Sequence, residues 1–165
     1  MKKQLFTFLL VLTTISSIAQ DSLKLQNIDQ LGEAVFFSFQ TADLELFESL
    51  LLSESKFEFI LNNLDAEDST KQIFRKQGKG AVFHLRSQSK ENFNHVLSIS
   101  EELNLDWEKA QIVKILEESR SQIGIKRSDI SIRIKSEGKT YVLFLPGCHK
   151  TDTWCVANKV RLSKF

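Results

Sequence analysis

The sequence predicts an α+β fold in which N-terminal helices pack on a curved antiparallel sheet of about four strands. In the first half of the chain, apolar residues recur at spacings of three and four, which is the period of a helix. In the second half they alternate with polar residues, which is the period of a strand with one buried face. Helices that precede the strands, rather than alternate with them, are typical of helices packed on one face of an antiparallel sheet.

The chain opens with the layout of a secretory signal peptide: MKKQLFTFLLVLTTISSIAQDS. Its apolar run is shorter than the ~20 residues that span a bilayer. We therefore expect residues 1–20 to be removed near Ala19 or Gln20, and residues 21–165 to form one periplasmic or secreted domain that meets a membrane only during export. Loss of Lys2 and Lys3 leaves 20 basic against 21 acidic side chains, so the charge balance indicates no nucleic-acid partner.

Three helices are predicted over the first third of the expected domain. The first two carry apolar residues on one face, Ile28, Leu31, Val35 and Phe39 in one and Leu44, Phe47 and Leu51 in the other. Ser55 and Glu58 have the spacing of a capping box. A third helix follows, with the apolar residues Phe57, Ile60, Leu61 and Leu64.

The next segment contains two glycines that predict a break. Gly78 and Gly80 indicate a bend over Gln77 to Ala81, because glycine is a poor helix former. Beyond it, Ser89 is the predicted cap of a further helix with the apolar residues Phe93, Val96, Leu97 and Leu103.

The strands follow in the second half. Ile130, Ile132 and Ile134 alternate with polar residues, and a turn at Glu137-Gly138 leads into a strand from Tyr141 to Leu145. Ala110 to Ser119 is predicted as a strand because Ile and Val are frequent in it. Pro146-Gly147 is expected at a bulge or an edge. A last strand is expected over residues 154–162, with Trp154, Val156, Val160 and Leu162 on one side.

Cys148 and Cys155 are the two cysteines of the chain, and an oxidising compartment allows them to form a disulfide. If residues 150–153 form a four-residue loop, His149 faces Trp154 and Cys148 lies opposite Cys155, near disulfide distance. The sequence therefore favours a structural disulfide over free thiols. A redox pair usually has the spacing Cys-x-x-Cys, and a zinc site would have only three candidate ligands, with His149 pointing away from Cys148.

No catalytic constellation is evident in the sequence. His84 and His95 lack an acidic residue at metal-binding helical spacing, and the Gly-Lys-Gly at residues 78–80 lacks the spacing of a phosphate-binding loop. We expect no catalytic residue, metal or cofactor. The candidate pocket residues are Asp43, His84, Trp107, Tyr141 and Trp154, although an aspartate at a helix start usually caps it and aromatic residues near strand ends usually pack in the core.

Two segments carry a resemblance to a known superfamily. The first is AVFFSFQTADLELFESLLLS, a helix, an acidic bend and a second helix; the other is YVLFLPGCHKTDTWCVANKVRL, a strand, a turn and a final strand. They resemble the nuclear-transport-factor-2-like (cystatin-like) superfamily, in particular its small exported bacterial members without an assigned activity, over most of the expected domain. The resemblance implies a cone of helices and bent sheet whose mouth holds a small molecule in some members. Others use an Asp and a His in the cone for catalysis, and no such pair can be placed in this sequence.

These observations favour a non-enzymatic exported domain that binds a small apolar ligand or a protein partner through its sheet cavity or sheet face. An open sheet face would favour a partner, including a second copy in a homodimer, and a closed hollow lined by Phe and Trp would favour a ligand. One alternative is a small-molecule isomerase or hydrolase that uses Asp43, His84 or His95 in acid–base chemistry. Another is a structural accessory protein of the cell envelope.

Overall fold

The computed structural model describes residues 25–122 and 125–165, and within them five helices precede a five-stranded antiparallel sheet. This order confirms the predicted α+β class. The helices are α1 (Ile28–Gln40), α2 (Leu44–Leu50), α3 (Glu54–Asn62), α4 (Asp68–Ser87) and α5 (Ser89–Glu102). The strands are β1 (Gln111–Gln122), β2 (Ile125–Ser136), β3 (Lys139–Lys150), β4 (Trp154–Cys155) and β5 (Arg161–Lys164).

The predicted signal peptide lies outside the described residues. Among the helices that are described, none combines the length and the apolar character of a membrane span.

The first helix begins at a capping box that the sequence analysis did not identify. The Asn27 side chain accepts a hydrogen bond from the Gln30 backbone N–H at 2.8 Å, and the Gln30 side chain accepts one from the Asn27 N–H at 3.3 Å. The predicted apolar face of α1 is buried in the main core. The capping box therefore defines where α1 begins, and burial of its apolar face holds the helix against the sheet.

Two predicted helix caps are one or two residues out of place. Ser53, rather than Ser55, caps α3, since its Oγ accepts from the Lys56 N–H at 3.3 Å. Gln88 precedes α5, so the predicted cap Ser89 is the first residue inside the helix. Ser89 donates to the Arg86 carbonyl and to Glu48 instead.

The predicted bend over Gln77 to Ala81 is wrong, because these residues lie inside α4, which is continuous over 20 residues. A β-carbon at Gly78 would overlap the ring of Phe57 in α3. Gly78 is therefore explained by the close approach of two helices. Nothing lies within 4 Å of a β-carbon at Gly80.

The sheet contains the predicted hairpin and two bulges. Strands β2 and β3 are joined at Glu137-Gly138, and both residues have positive φ (49° and 79°), as a two-residue hairpin turn requires. One bulge lies in β1 at Val113, where the register shifts between Ile112 and Lys114. The strand prediction for Ala110 to Ser119 is confirmed.

The second bulge lies at Pro146-Gly147, as predicted. The register steps from Ile130 opposite Leu145 to Ser128 opposite Cys148, so β3 holds one extra residue there, and Gly147 has a φ of 65°. This extra residue changes which positions of β3 face the core. Before the bulge the core-facing residues are odd-numbered, and after it Cys148 faces the core.

The predicted last strand is divided into two short strands that both pair with β3. Between them Val156 forms an isolated bridge with Leu51 at the end of α2. The main core lies between α1, α2, α5 and one face of the sheet, here called the inner face. A smaller cluster, Leu52, Ile60, Val82 and Cys155, lies under α3 and α4 at one end of the opposite, outer face.

Candidate functional site

The five candidate pocket residues do not come together in the structure. Asp43 caps α2, with its Oδ1 accepting from the Leu46 N–H at 2.9 Å. His84 is exposed on α4 and His95 is exposed on α5. Because Asp43 has a helix-capping role and neither histidine shares a cleft with it, these residues form no acid–base pair.

Trp107 and Tyr141 hold the connection between α5 and β1. The Trp107 Nε1–H donates to Ser100 Oγ at 2.8 Å, and the Tyr141 hydroxyl, in a fully buried side chain, donates to the Asn104 carbonyl at 3.0 Å. Both aromatic residues thus bury a ring and satisfy their polar atom on the backbone or a nearby hydroxyl. These contacts are structural.

Aromatic rings from α1, α2, α5 and the segment before β1 pack against one another in the main core. Phe39 stacks on Phe93 at 4.8 Å and on Trp107 at 5.7 Å between ring centroids, and Phe47 packs against Phe39 at 5.3 Å. Two clefts among the described residues, of about 220 and 240 Å³, are open to solvent. Pockets for small ligands usually enclose about 300–1,000 Å³, so neither cleft has the size of a closed ligand site.

Trp154 alone of the five lines one of these clefts. The cleft of about 220 Å³ lies beside the N-terminus of α1, and Lys126 Nζ lies 5.4 Å from the centroid of the Trp154 ring. Ser128 donates to Glu117 Oε1 at 2.6 Å on the same inner face. The polar residues here are thus partnered with one another or open to water.

Both cysteines are free thiols, and the register that predicted a disulfide is off by one residue. His149 pairs with Cys155, and Lys150 pairs with Trp154. Cys148 therefore faces the main core and Cys155 faces the smaller cluster, on opposite faces of the sheet. Burial raises the pKa of Cys155 to about 11, and burial together with the negative charge of Asp129 raises the pKa of Cys148 well above its usual range.

The outer face of the sheet lies opposite the face on which α1, α2 and α5 pack. At its centre, Leu116, Val142 and Phe144 are half-buried and belong to neither hydrophobic cluster. The register places six basic and two acidic side chains around them: Lys114, Arg120, Arg127, Arg133, Lys135 and Arg161, with Glu118 and Asp129. The outer face thus combines an apolar centre with an excess of four positive charges.

One end of this face contains the bulge in β3 and a group of polar side chains. Asp129 is buried, accepts from the Gly147 N–H at 2.7 Å and lies 3.3 Å from Arg120 Nη2. His149 on β3 lies opposite Arg127 on β2. Burial together with the charge of Arg127 lowers the pKa of His149 to about 4. His149 is therefore neutral at physiological pH.

The sequence predicts binding through a sheet cavity or a sheet face in general, but it does not identify the residues of the outer face. A signal was present, since Arg133 and Lys135 alternate with the apolar residues of one predicted strand. The net charge of the chain does not reveal this excess of basic residues in the strands, because acidic side chains that lie mostly before residue 111 offset it. No group of three or more His, Cys, Asp and Glu side chains in the described part of the chain is placed to hold a metal ion.

Comparison with known proteins gives no match: no protein-family model, curated protein or solved structure matches the chain.

Proposed function

We propose that the chain is an exported, non-enzymatic binding domain whose outer sheet face docks an acidic protein partner. The observation that carries the proposal is the outer face itself, an open surface with an apolar centre and an excess of four positive charges. Apolar centres with charged rims are common in protein interfaces. The N-terminal sequence layout supports export.

Two other forms of binding receive less support. A small apolar ligand would need a closed hollow, and the aromatic rings of Phe39, Phe47, Phe93 and Trp107 fill the interior. A symmetric homodimer through the outer face would bring two surfaces of like charge together, which is unfavourable. An acidic partner avoids both difficulties.

The non-enzymatic part of the proposal is supported by the positions of the candidate acid–base residues. Asp43 is engaged in capping, and His84 and His95 project from different helices. The resemblance to the nuclear-transport-factor-2-like superfamily is compatible with this reading, since some of its members bind partners without catalysis.

The test is a selection from a random peptide library against residues 21–165. We expect the enriched peptides to be acidic with interspersed apolar residues, and to bind less tightly as salt is added. The decisive variant is Lys114→Glu/Arg133→Glu, which reverses the charge of two opposed basic residues beside the apolar centre of the outer face. It should abolish most of the binding.

The matched control is Lys76→Glu/Lys90→Glu, which makes the same change of charge at exposed positions on α4 and α5. This control should bind the selected peptides as the parent chain does. Enrichment of peptides without acidic residues would contradict the proposal, as would equal loss of binding in the two double variants.

A further inference from the structure

Two arginines and one histidine form a row across three strands of the outer face. Arg120, Arg127 and His149 are paired in register on β1, β2 and β3, and neighbouring strands lie about 4.8 Å apart. Like charges directly opposite each other in a sheet are destabilising. Asp129 compensates one arginine, because its Oδ2 lies 3.3 Å from Arg120; among the described residues no carboxylate is in salt-bridge distance of Arg127.

The same row contains polar atoms that have no partner. Arg127 Nε and His149 Nδ1 are buried and make no hydrogen bond with a described residue. In the described part of the chain, the one other buried side-chain atom without a hydrogen-bond partner is Gln88 Oε1, which lies at the junction of α4 and α5. A buried polar atom without a partner has lost the hydrogen bonds that it would make with water, so two at one register pair indicate a place where a bound group completes the hydrogen bonds.

The two arginines of the row differ in their surroundings. The Arg127 guanidinium lies over the bulge, with Nη2 at 3.2 Å from the point that a β-carbon at Gly147 would occupy. Arg120 Nη2 is 3.0 Å from Glu118 and 3.3 Å from Asp129. Because two carboxylates already position Arg120, an incoming ligand loses little of its binding energy to ordering that side chain.

We propose that the row of Arg120, Arg127 and His149 binds an oxyanion, a carboxylate or a phosphoryl group carried by the acidic partner. The inference rests on the proposed function of the outer face and names the group that this end of the face recognises. A guanidinium presents its N–H donors in a fork that matches two oxygens of such a group. The bound anion compensates the charge of Arg127 and gives its Nε–H an acceptor.

The probes for the test are inorganic phosphate and acetate, each titrated against sodium chloride at equal ionic strength. The ¹⁵N-labelled chain is followed by NMR at the Arg127 Nε–H and at the backbone amide of His149. We expect saturable shifts with at least one oxyanion and none with chloride. Saturation by phosphate alone assigns the site to a phosphoryl group, and saturation by acetate alone assigns it to a carboxylate.

The variant Arg127→Gln should weaken oxyanion binding by roughly tenfold or more. The matched control is Lys76→Gln, which removes one positive charge at an exposed position on α4, and it should bind as the parent chain does. If Arg127→Gln does not fold, His149→Asn tests the row at the same amide signals. Shifts with chloride equal to those with both oxyanions would overturn the inference, and so would equal weakening in Arg127→Gln and Lys76→Gln.

Failure of this inference is distinguishable from failure of the proposed function. If acidic peptides bind the outer face and neither oxyanion saturates the row, the anion site is wrong and the docking surface stands. If an oxyanion binds and no acidic peptide is selected, the site exists and the proposed protein partner is wrong.

Discussion

At the scale of single residues, the buried His149 predicts how stability depends on pH. Burial and the charge of Arg127 lower its pKa from 6.5 to about 4. Between these values the unfolded chain binds a proton that the folded chain does not. The free energy of unfolding should therefore fall as the pH drops from 6.5 towards 4, by up to about 3 kcal/mol from this residue.

Urea unfolding across this pH range, in buffer without phosphate or acetate, measures the effect. His149→Gln should remove most of the slope, because glutamine does not titrate. His95→Gln, at an exposed position on α5, is the control and should keep the slope of the parent chain. A parent chain with constant stability over this range would contradict the assignment.

The two thiols predict a distinct chemical behaviour. Since Cys148 and Cys155 are buried in separate clusters and their pKa values are raised, the thiolate that reacts with alkylating reagents is scarce. We expect the folded chain, isolated from an oxidising compartment, to react slowly with iodoacetamide and the denatured chain to react at both cysteines. A mass two protons below that of the reduced chain would show instead that the disulfide forms.

At the scale of elements, the two glycines of α4 show whether a glycine inside a helix is required by a close contact with a neighbouring helix. Gly78→Ala should destabilise the chain by about 1–3 kcal/mol, because the new methyl group overlaps the Phe57 ring and α3 must move away from α4. Gly80→Ala, one half-turn further on with open space around it, should stabilise the chain by about 0.5–1 kcal/mol. Guanidinium unfolding of both variants measures the difference. Equal stabilisation by both alanines would contradict the close contact.

The sequence predicted the elements whose apolar periodicity is strong, such as α1 and the hairpin of β2 and β3. The prediction failed where the role of a residue depends on a contact with a distant part of the chain. Gly78 predicts a bend locally, yet it is present because Phe57 approaches it. The cysteine register failed for a related reason: one residue more or less in the loop before Trp154 reverses the face of every residue that follows.

At the scale of the whole molecule, charge is separated between the two layers. Residues 25–110 carry 15 acidic and 8 basic side chains, and residues 111–165 carry 5 acidic and 11 basic ones. The sequence gives these counts, but it does not show that the basic residues of the strands share one face, since this depends on register and on both bulges. For this reason the candidate surface emerged with the structure, whereas the α+β class was predictable beforehand.

This separation predicts how a nearly neutral chain behaves on charged surfaces. We expect residues 21–165 to be retained by a cation-exchange resin at pH 7.5 and low salt, because the outer face can orient towards the resin while the acidic helices face away. Lys114→Glu/Arg133→Glu should elute at clearly lower salt. Lys76→Glu/Lys90→Glu has the same net charge and should elute close to the parent chain. If both double variants shift equally, retention follows net charge alone, and the outer face does not act as a separate basic surface.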